Sequence, residues 1–177
     1  RHGITILTIL SALTALAERP DTVRVAALQC PSVMGRTAEN LVVITNLIRQ
    51  AAASGARIVV LPECSVQGYM EPTAWRSWSK AANAEEPENA VATVAETVPG
   101  PSTKRLGELA AELKLYICVG LVEAGTNGFF NAQVLLGPDG DIAAHHRKKS
   151  LWTPGDSSWC TPGELPVQVV DTEFGRL

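Results

Sequence analysis

Two charged residues that follow apolar, strand-like segments are the best candidates for chemistry in this chain. Glu63 comes directly after the run Ile58-Val59-Val60-Leu61-Pro62, and Lys148 follows a predicted hairpin strand that ends at Arg147. A carboxylate can remove a proton from a nucleophile, and an ammonium can stabilise negative charge that develops on a reacting oxygen or nitrogen. Because ligands usually bind where strands end in an α/β sheet, we expect both residues to belong to one site.

Either residue alone is weak evidence for a site. A Glu after Leu-Pro is most often a solvated turn residue or a helix cap, and a Lys at a hairpin exit is usually solvated. Lys149 also leaves the position of the functional lysine ambiguous by one residue. The case for Glu63 and Lys148 therefore depends on the elements that position them.

The first of these elements form a β-α-β unit. Residues 23–28 are predicted as a strand, and Thr37 is a plausible N-cap for a helix with apolar residues at helical spacing. Gly55 ends this helix, and residues 57–61 form a short buried strand. The two strands are expected to be parallel neighbours, which puts Glu63 just past the carboxyl end of a strand.

A second helix and a hairpin lead to Lys148. Ser102 begins an amphipathic helix, residues 115–121 read as another buried strand, and residues 129–136 and 141–147 flank a Gly-Pro-Asp-Gly turn. Residues 166–170 are predicted as a last strand, followed by a turn at residues 173–176.

Composition bounds the function. The chain has 177 residues, 46% of them hydrophobic, which suits one domain or part of one. The net charge of -3 provides no basic face, so we do not expect nucleic-acid binding. The four cysteines are widely spaced and the three histidines form no metal-ligand pattern, so buried thiols are favoured over a disulfide framework or a zinc site, and no cofactor is expected.

Residues 1–20 are treated separately from a core domain at residues 21–177. The apolar stretch that begins at Ile4 is too short for a membrane span, and Ala15-Leu16-Ala17 is similar to a signal-peptide cleavage site. A cytoplasmic protein is the favoured interpretation, and a secreted or periplasmic one stays open if residues 1–17 are a signal-peptide remnant. No membrane association is expected for the core.

Three dispersed motifs, in order, resemble the nitrilase, or carbon-nitrogen hydrolase, superfamily over residues 23–177. They are Leu61-Pro62-Glu63, then Gly120-Leu121-Val122-Glu123 with Asn131 ahead of the Gly-Pro-Asp-Gly turn, then His146-Arg147-Lys148 before Leu151-Trp152. The resemblance implies an α/β fold, a four-layer α-β-β-α sandwich, incomplete here at its C-terminus. It also implies a Glu-Lys-Cys catalytic set and, for the full-length protein, a homo-oligomer formed through the outer helices.

The same resemblance implies roles for individual residues. Glu63 matches the general base, and Lys148 matches the lysine beside the reacting carbon, since Leu151-Trp152 follows it at the family's spacing. The family's nucleophilic cysteine would lie about five residues past Leu177, so the parent protein is expected to be active and this fragment inactive. Asp156 replaces the family's usual second glutamate and is assigned as a positioning or proton-relay acid.

Three neighbouring residues receive structural interpretations. Glu123 is expected to order a loop after its strand. Cys64 adjoins Glu63 but lacks any Cys-His context, so it is interpreted as a packed small residue. Lys149 should point away from Lys148 and be exposed. Trp75, Trp78 and Trp159 suggest either an apolar pocket wall or core packing.

The predicted function is hydrolysis of non-peptide carbon-nitrogen bonds in small amide, nitrile or carbamoyl substrates, through a thioester. Two alternatives stay open. An N-acyltransferase would use the same residues and pass the acyl group to an amine, and a non-catalytic binding module would keep the fold without the nucleophile.

Overall fold

A mixed β-sheet forms the centre of the part of the chain described by the structure, a computed structural model. The described residues are 20–71, 76–80, 90–153 and 155–177. Their elements, in chain order, are β1 (Val25–Ala27), α1 (Thr37–Ala53), β2 (Ile58–Val60), β3 (Met70–Glu71), β4 (Arg76–Ser77), α2 (Pro101–Leu113), β5 (Tyr116–Gly125), β6 (Gly128–Leu136), β7 (Ile142–Arg147), β8 (Asp171–Thr172) and β9 (Gly175–Arg176). One-turn 3₁₀ helices lie at Val91–Thr93 and Asp156–Ser158.

Within the described residues the main sheet has five strands in the order β1-β2-β5-β6-β7. The strands β1, β2 and β5 are parallel, with Val25 opposite Ile58 and Ile58 opposite Tyr116. Two antiparallel pairings then join β5 to β6 and β6 to β7. The predicted β-α-β unit and hairpin are therefore confirmed. The strands β2 and β7 run in the same direction as β5, so the carboxyl ends of β2 and β7 lie at the same edge of the sheet.

Helices α1 and α2 cover one face of this sheet. The side chains of Leu41, Ile44 and Ile48 recur at helical spacing and are buried, which explains why this segment forms an amphipathic helix. They pack in one apolar core with residues of α2 and with alternate residues of the strands. Helix α1 ends before Gly55, whose φ of +84° is the left-handed conformation that favours glycine.

The opposite face of the sheet is less covered. Val25 and Val60 are 52% and 37% exposed, and Cys118 and Leu135 are half-buried on the same face. The described residues thus contain a helix layer and a sheet, which confirms the predicted α/β class. No helix in the described residues is long and apolar enough to cross a membrane.

The predicted strand at residues 166–170 is wrong. This segment has no strand structure, and Val167 and Val169 are 78% and 64% exposed. Its apolar alternation is typical of a strand, but a strand needs a continuous backbone ladder. Val170 pairs with Leu177 through two backbone hydrogen bonds of 2.9 Å, whereas Gln168 meets β7 through its side chain, whose Oε1 accepts from the His145 N–H at 2.7 Å.

Core packing explains two of the tryptophans. Trp78 and Trp159 are almost fully buried in a second apolar cluster, which also contains Cys64 and Val122. Residues 1–19, which include the predicted signal-peptide remnant, lie outside the described residues, and so does Trp75.

Candidate active site

Glu63 lies in a tight turn that is pressed against strand β5. Cys64 in this turn has a φ of +47°, an unusual conformation for a residue other than glycine. The turn can pack there because Gly120 has no side chain. A Cβ on Gly120 would lie 2.5 Å from the Pro62 carbonyl oxygen and 2.9 Å from Glu63 Cα. The glycine therefore determines how closely the Glu63 backbone approaches the sheet.

Lys148 directly follows β7, and its backbone N–H donates to the carbonyl oxygen of Asn131 at 2.8 Å. Its Nζ donates to Glu63 Oε1 at 2.7 Å and lies 2.6 Å from Asp156 Oδ2. The structure thus brings the three sequence-predicted residues together, although Glu63 is 85 residues from Lys148 in the chain. Lys149 is exposed, as predicted.

Asp156 is fully buried and has several hydrogen-bond donors. Tyr69 Oη donates to Oδ1 at 2.8 Å, and the Trp152 backbone N–H donates to Oδ2 at 2.9 Å. Burial alone would raise the pKa of Asp156, but the bonds from Lys148, Trp152 and Tyr69 outweigh it and lower this pKa. Asp156 is therefore held as a buried carboxylate.

The two carboxylates control the charge of Lys148. Burial disfavours its ammonium form, but the bonds to Asp156 and Glu63 outweigh this effect and raise the pKa of Lys148 to about 12. The Lys148 side chain is therefore a cation at neutral pH, and a carboxylate oxygen of Glu63 and one of Asp156 hold it in place.

An open cavity of about 450 Å³ gives access to part of this cluster. Its lining includes Glu63, Lys148, Asn131, Gln133 and His146. The Glu63 side chain is 43% exposed, whereas the Asp156 side chain is 0% exposed. A small molecule in the cavity would therefore meet the Glu63 carboxylate and the Lys148 ammonium, with Asp156 behind them.

The thiols nearest the cluster are poorly suited to attack a substrate. Cys64 and Cys160 are buried, and burial raises the pKa of each thiol. Both are free cysteines, and among the described residues no His, Cys, Asp or Glu group could hold a metal ion.

Glu123 orders a neighbouring strand, whereas the sequence pattern predicts that it orders a loop. It lies within β5, its carboxylate accepts from Arg147 Nε at 2.9 Å, and it lies 2.8 Å from His145 Nε2. Burial opposes ionisation, but bonds from His145 and Arg147 lower the pKa of Glu123. The contacts of Glu123 with His145 and Arg147 join β5 to the last residues of β7.

Sequence reasoning missed the roles of Tyr69, Asn131 and Gly120. Asn131 and Gly120 occur in the motifs quoted above, where no role was assigned to either, and Tyr69 carries no sequence signal because it meets Asp156 only in the fold. The Asn131 side chain donates from Nδ2 to Glu63 Oε1 and, at 3.4 Å, to Asp156 Oδ1. Tyr69 and Asn131 thus bind the carboxylates of the cluster, and Gly120 makes room for the turn that carries Glu63.

Comparisons with known proteins identify the family of the chain. Residues 24–177 match the sequence model of the carbon-nitrogen hydrolase family. The chain is 31% identical over 165 residues to omega-amidase NIT2 from Bos taurus, covering 88% of this chain and 53% of that protein. It is 27% identical over 165 residues to the bifunctional nitrilase/nitrile hydratase NIT4A from Nicotiana tabacum, covering 88% and 45%.

Solved structures show the same fold. An amidase from Nesterenkonia sp. superposes with a TM-score of 0.66 at 21% identity, covering 87% of this chain and 53% of that one. A carbon-nitrogen hydrolase from Helicobacter pylori G27 gives 0.69 at 20% identity, covering 87% and 49%. The chain thus spans about half the length of the relatives it matches. By its match to the sequence model over residues 24–177, the chain belongs to the carbon-nitrogen hydrolase family.

Proposed function

We propose that Glu63, Lys148 and Asp156 are the acid-base and charge-stabilising part of an active site that hydrolyses non-peptide carbon-nitrogen bonds. The observation that carries the proposal is the Lys148 ammonium, held between two carboxylates at the wall of an open cavity. The relatives of this chain include an omega-amidase and a nitrilase, so small amides and nitriles are the substrate class that we propose.

Glu63 is the proposed general base. Its carboxylate reaches the cavity, so it can take the proton of a thiol, and the thiolate then adds to the amide or nitrile carbon. With an amide, Glu63 returns the proton to the nitrogen as the carbon-nitrogen bond breaks, which releases ammonia or an amine and leaves a thioester. Water activated by the same carboxylate then cleaves the thioester to the acid and regenerates the thiol.

Lys148 is the proposed stabiliser of the tetrahedral intermediate. Attack by the thiolate puts negative charge on the substrate oxygen or nitrogen, and a fixed ammonium stabilises that charge without reorganising. Asp156 is buried behind the lysine and contributes by positioning it. Of the two roles predicted for Asp156, the hydrogen bonds from Tyr69 and Trp152 favour positioning over proton relay, because its oxygens are already occupied by donors.

The nucleophilic thiol is proposed to come from a part of the protein outside these 177 residues. Cys64 and Cys160 are buried, and their raised pKa values keep the thiols protonated. This proposal agrees with the extent of the relatives, which are about twice as long as the chain.

Assays of the full-length protein test these roles. Ammonia release from a panel of small amides and nitriles should be lost in Glu63→Gln and Lys148→Ala, while Lys149→Ala, the matched control at the neighbouring exposed position, should keep it. Circular dichroism checks that the variants fold. Turnover retained by folded Glu63→Gln or Lys148→Ala protein would refute the assigned roles, and acyl transfer to an added amine in place of hydrolysis would support the transferase alternative.

A further inference from the structure

Asn131 contacts several groups of the candidate site, although the roles proposed for Glu63, Lys148 and Asp156 give it no function. It lies within β6 and is 5% exposed. Its Nδ2 donates to Glu63 Oε1 and, at 3.4 Å, to Asp156 Oδ1, and its backbone carbonyl accepts from the Lys148 N–H at 2.8 Å. Its Oδ1 accepts from Cys64 Sγ at 3.5 Å. One side chain therefore touches both carboxylates of the cluster.

The chemistry of these neighbours determines the orientation of the amide. A carboxamide has a donor end and an acceptor end, and an ionised carboxylate only accepts hydrogen bonds. The buried Cys64 thiol keeps its proton and donates to the amide oxygen. The amide N–H groups must then face Glu63 and Asp156, because the reverse orientation would set the amide oxygen against two carboxylates.

We propose that Asn131 is a positioning residue of the candidate site, whose amide holds the Glu63 and Asp156 carboxylates on either side of the Lys148 ammonium. This inference rests on the proposed function. The need for such a residue follows from charge and mobility. Two carboxylates that share one cation repel each other, and the half-exposed Glu63 side chain loses rotamer entropy when it is held beside Lys148. A donor between them offsets both effects, because it binds each carboxylate and is itself anchored within a strand.

Chemical labelling of the full-length protein tests the inference without relying on turnover. In competitive acetylation with acetic anhydride at pH 9, the paired Lys148 should react at least about tenfold more slowly than exposed Lys149. The bonds to Asp156 and Glu63 raise the pKa of Lys148, and each unit of this rise lowers the fraction of reactive free amine about tenfold. In Asn131→Ala, Glu63 should leave Lys148, and the Lys148 to Lys149 labelling ratio should rise several-fold. Gln133→Ala is the matched control, because Gln133 lies on the same strand and lines the same cavity. Its Nε2 donates to Cys118 Sγ at 3.2 Å and to neither carboxylate of the cluster, so its loss should leave the labelling ratio unchanged. An unchanged ratio in Asn131→Ala would overturn the inference.

Kinetics on the same proteins separate positioning from folding. We expect kcat of Asn131→Ala to fall about 10²-fold with KM changed only a few-fold, as for a misplaced catalytic group. Asn131→Asp preserves the shape but replaces the donor with an acceptor, so a comparable loss is expected. Wild-type kcat in folded Asn131→Asp would refute positioning by the amide. A wild-type protein that turns over no amide or nitrile would refute the proposed function instead, and the labelling ratio would still report on Asn131.

Discussion

At the end of β7, Arg147 and Lys148 reach opposite faces of the sheet, and each binds acidic side chains. On the helix-covered face, Arg147 binds Glu123 and stacks over the Phe130 ring at 3.9 Å. On the other face, Lys148 binds Glu63 and Asp156. The last residue of β7 and the residue after it therefore take part in two separate ionic clusters of similar composition.

The difference lies in which groups a small molecule can reach. The Glu123 side chain is 2% exposed and its carboxylate oxygens are bound by Arg147 and His145, so a small molecule cannot reach the carboxylate of the first cluster. In the second cluster one carboxylate is buried and the other, Glu63, is 43% exposed at a cavity. A closed pair can join strands, whereas chemistry requires a charged group that is held in place and still accessible. We therefore expect the two clusters to respond differently to substitution.

Replacing each cation by alanine should give the largest contrast. Lys148→Ala should lower kcat at least about 10²- to 10³-fold, because it removes the cation that faces the developing charge. It should also lower the free energy of unfolding, because it leaves the buried Asp156 carboxylate without its cation. Arg147→Ala leaves Glu123 buried without its main partner, and should lower the free energy of unfolding by about 2–3 kcal/mol, since the guanidinium is partly exposed. Urea unfolding and ammonia release on both variants measure the contrast. Folded Arg147→Ala should keep a kcat close to that of the wild type, and an equal loss of kcat in both variants would refute the contrast.

Adding one methyl group at Gly120 should disturb the active cluster next most strongly. The new Cβ would collide with the backbone of residues 62–64 and shift Glu63, so we expect kcat to fall about 10²-fold. Gly107→Ala is the matched control, because its Cβ would lie 2.4 Å from the Gly140 carbonyl oxygen, on the helix-covered side of the sheet. That variant should lose stability by about 1–3 kcal/mol while folded protein keeps its kcat. Similar kcat values for the two variants would contradict this account.

Acid should weaken both clusters. The folded-state pKa values of Asp156 and Glu123 are lowered, so each group contributes stability that is present above its unfolded pKa, near 4, and is lost as the pH falls through its folded pKa. Asp156→Asn and Glu123→Gln should each flatten the dependence of Tm on pH below about pH 4. Calorimetry from pH 6 to pH 2 measures this dependence. A variant that keeps the full wild-type slope would show that the replaced carboxylate does not gain stability from its partners.

Removing the Tyr69 hydroxyl should have the smallest effect. Burial and then the bond to Asp156 raise the pKa of Tyr69, so its phenol stays protonated and donates. Tyr69→Phe leaves Asp156 bound to Lys148 and Trp152, so we expect kcat to fall about tenfold or less. Tyr116→Phe removes a comparable bond, from Tyr116 Oη to Glu173 at 3.1 Å, and should leave kcat unchanged. A larger loss in Tyr116→Phe than in Tyr69→Phe would contradict the assignment.

Local pattern predicted most of the fold correctly. The apolar spacing of α1, the buried runs of β2 and β5 and the Gly-Pro-Asp-Gly turn each depend on neighbouring residues, and their elements occur close to the predicted positions. Residues 166–170 failed because strand formation depends on a partner backbone, which local alternation does not reveal. Glu123 was correctly interpreted as structural, but its partners come from β7 across two strand pairings.

The sequence by itself determined which residues could form a site, because Glu63 and Lys148 each follow a strand whose residues are recognisable from their spacing. Asp156 is a candidate only because it lies where the family has its second carboxylate. Only the tertiary structure decided how these residues act together. It places Lys148 between the two carboxylates, leaves Glu63 accessible while burying Asp156, and brings Tyr69 and Asn131 to them. The physical reason is that charge, burial and hydrogen bonding depend on neighbours in space. Here Glu63 is 85 residues from Lys148, and Tyr69 is 87 residues from Asp156.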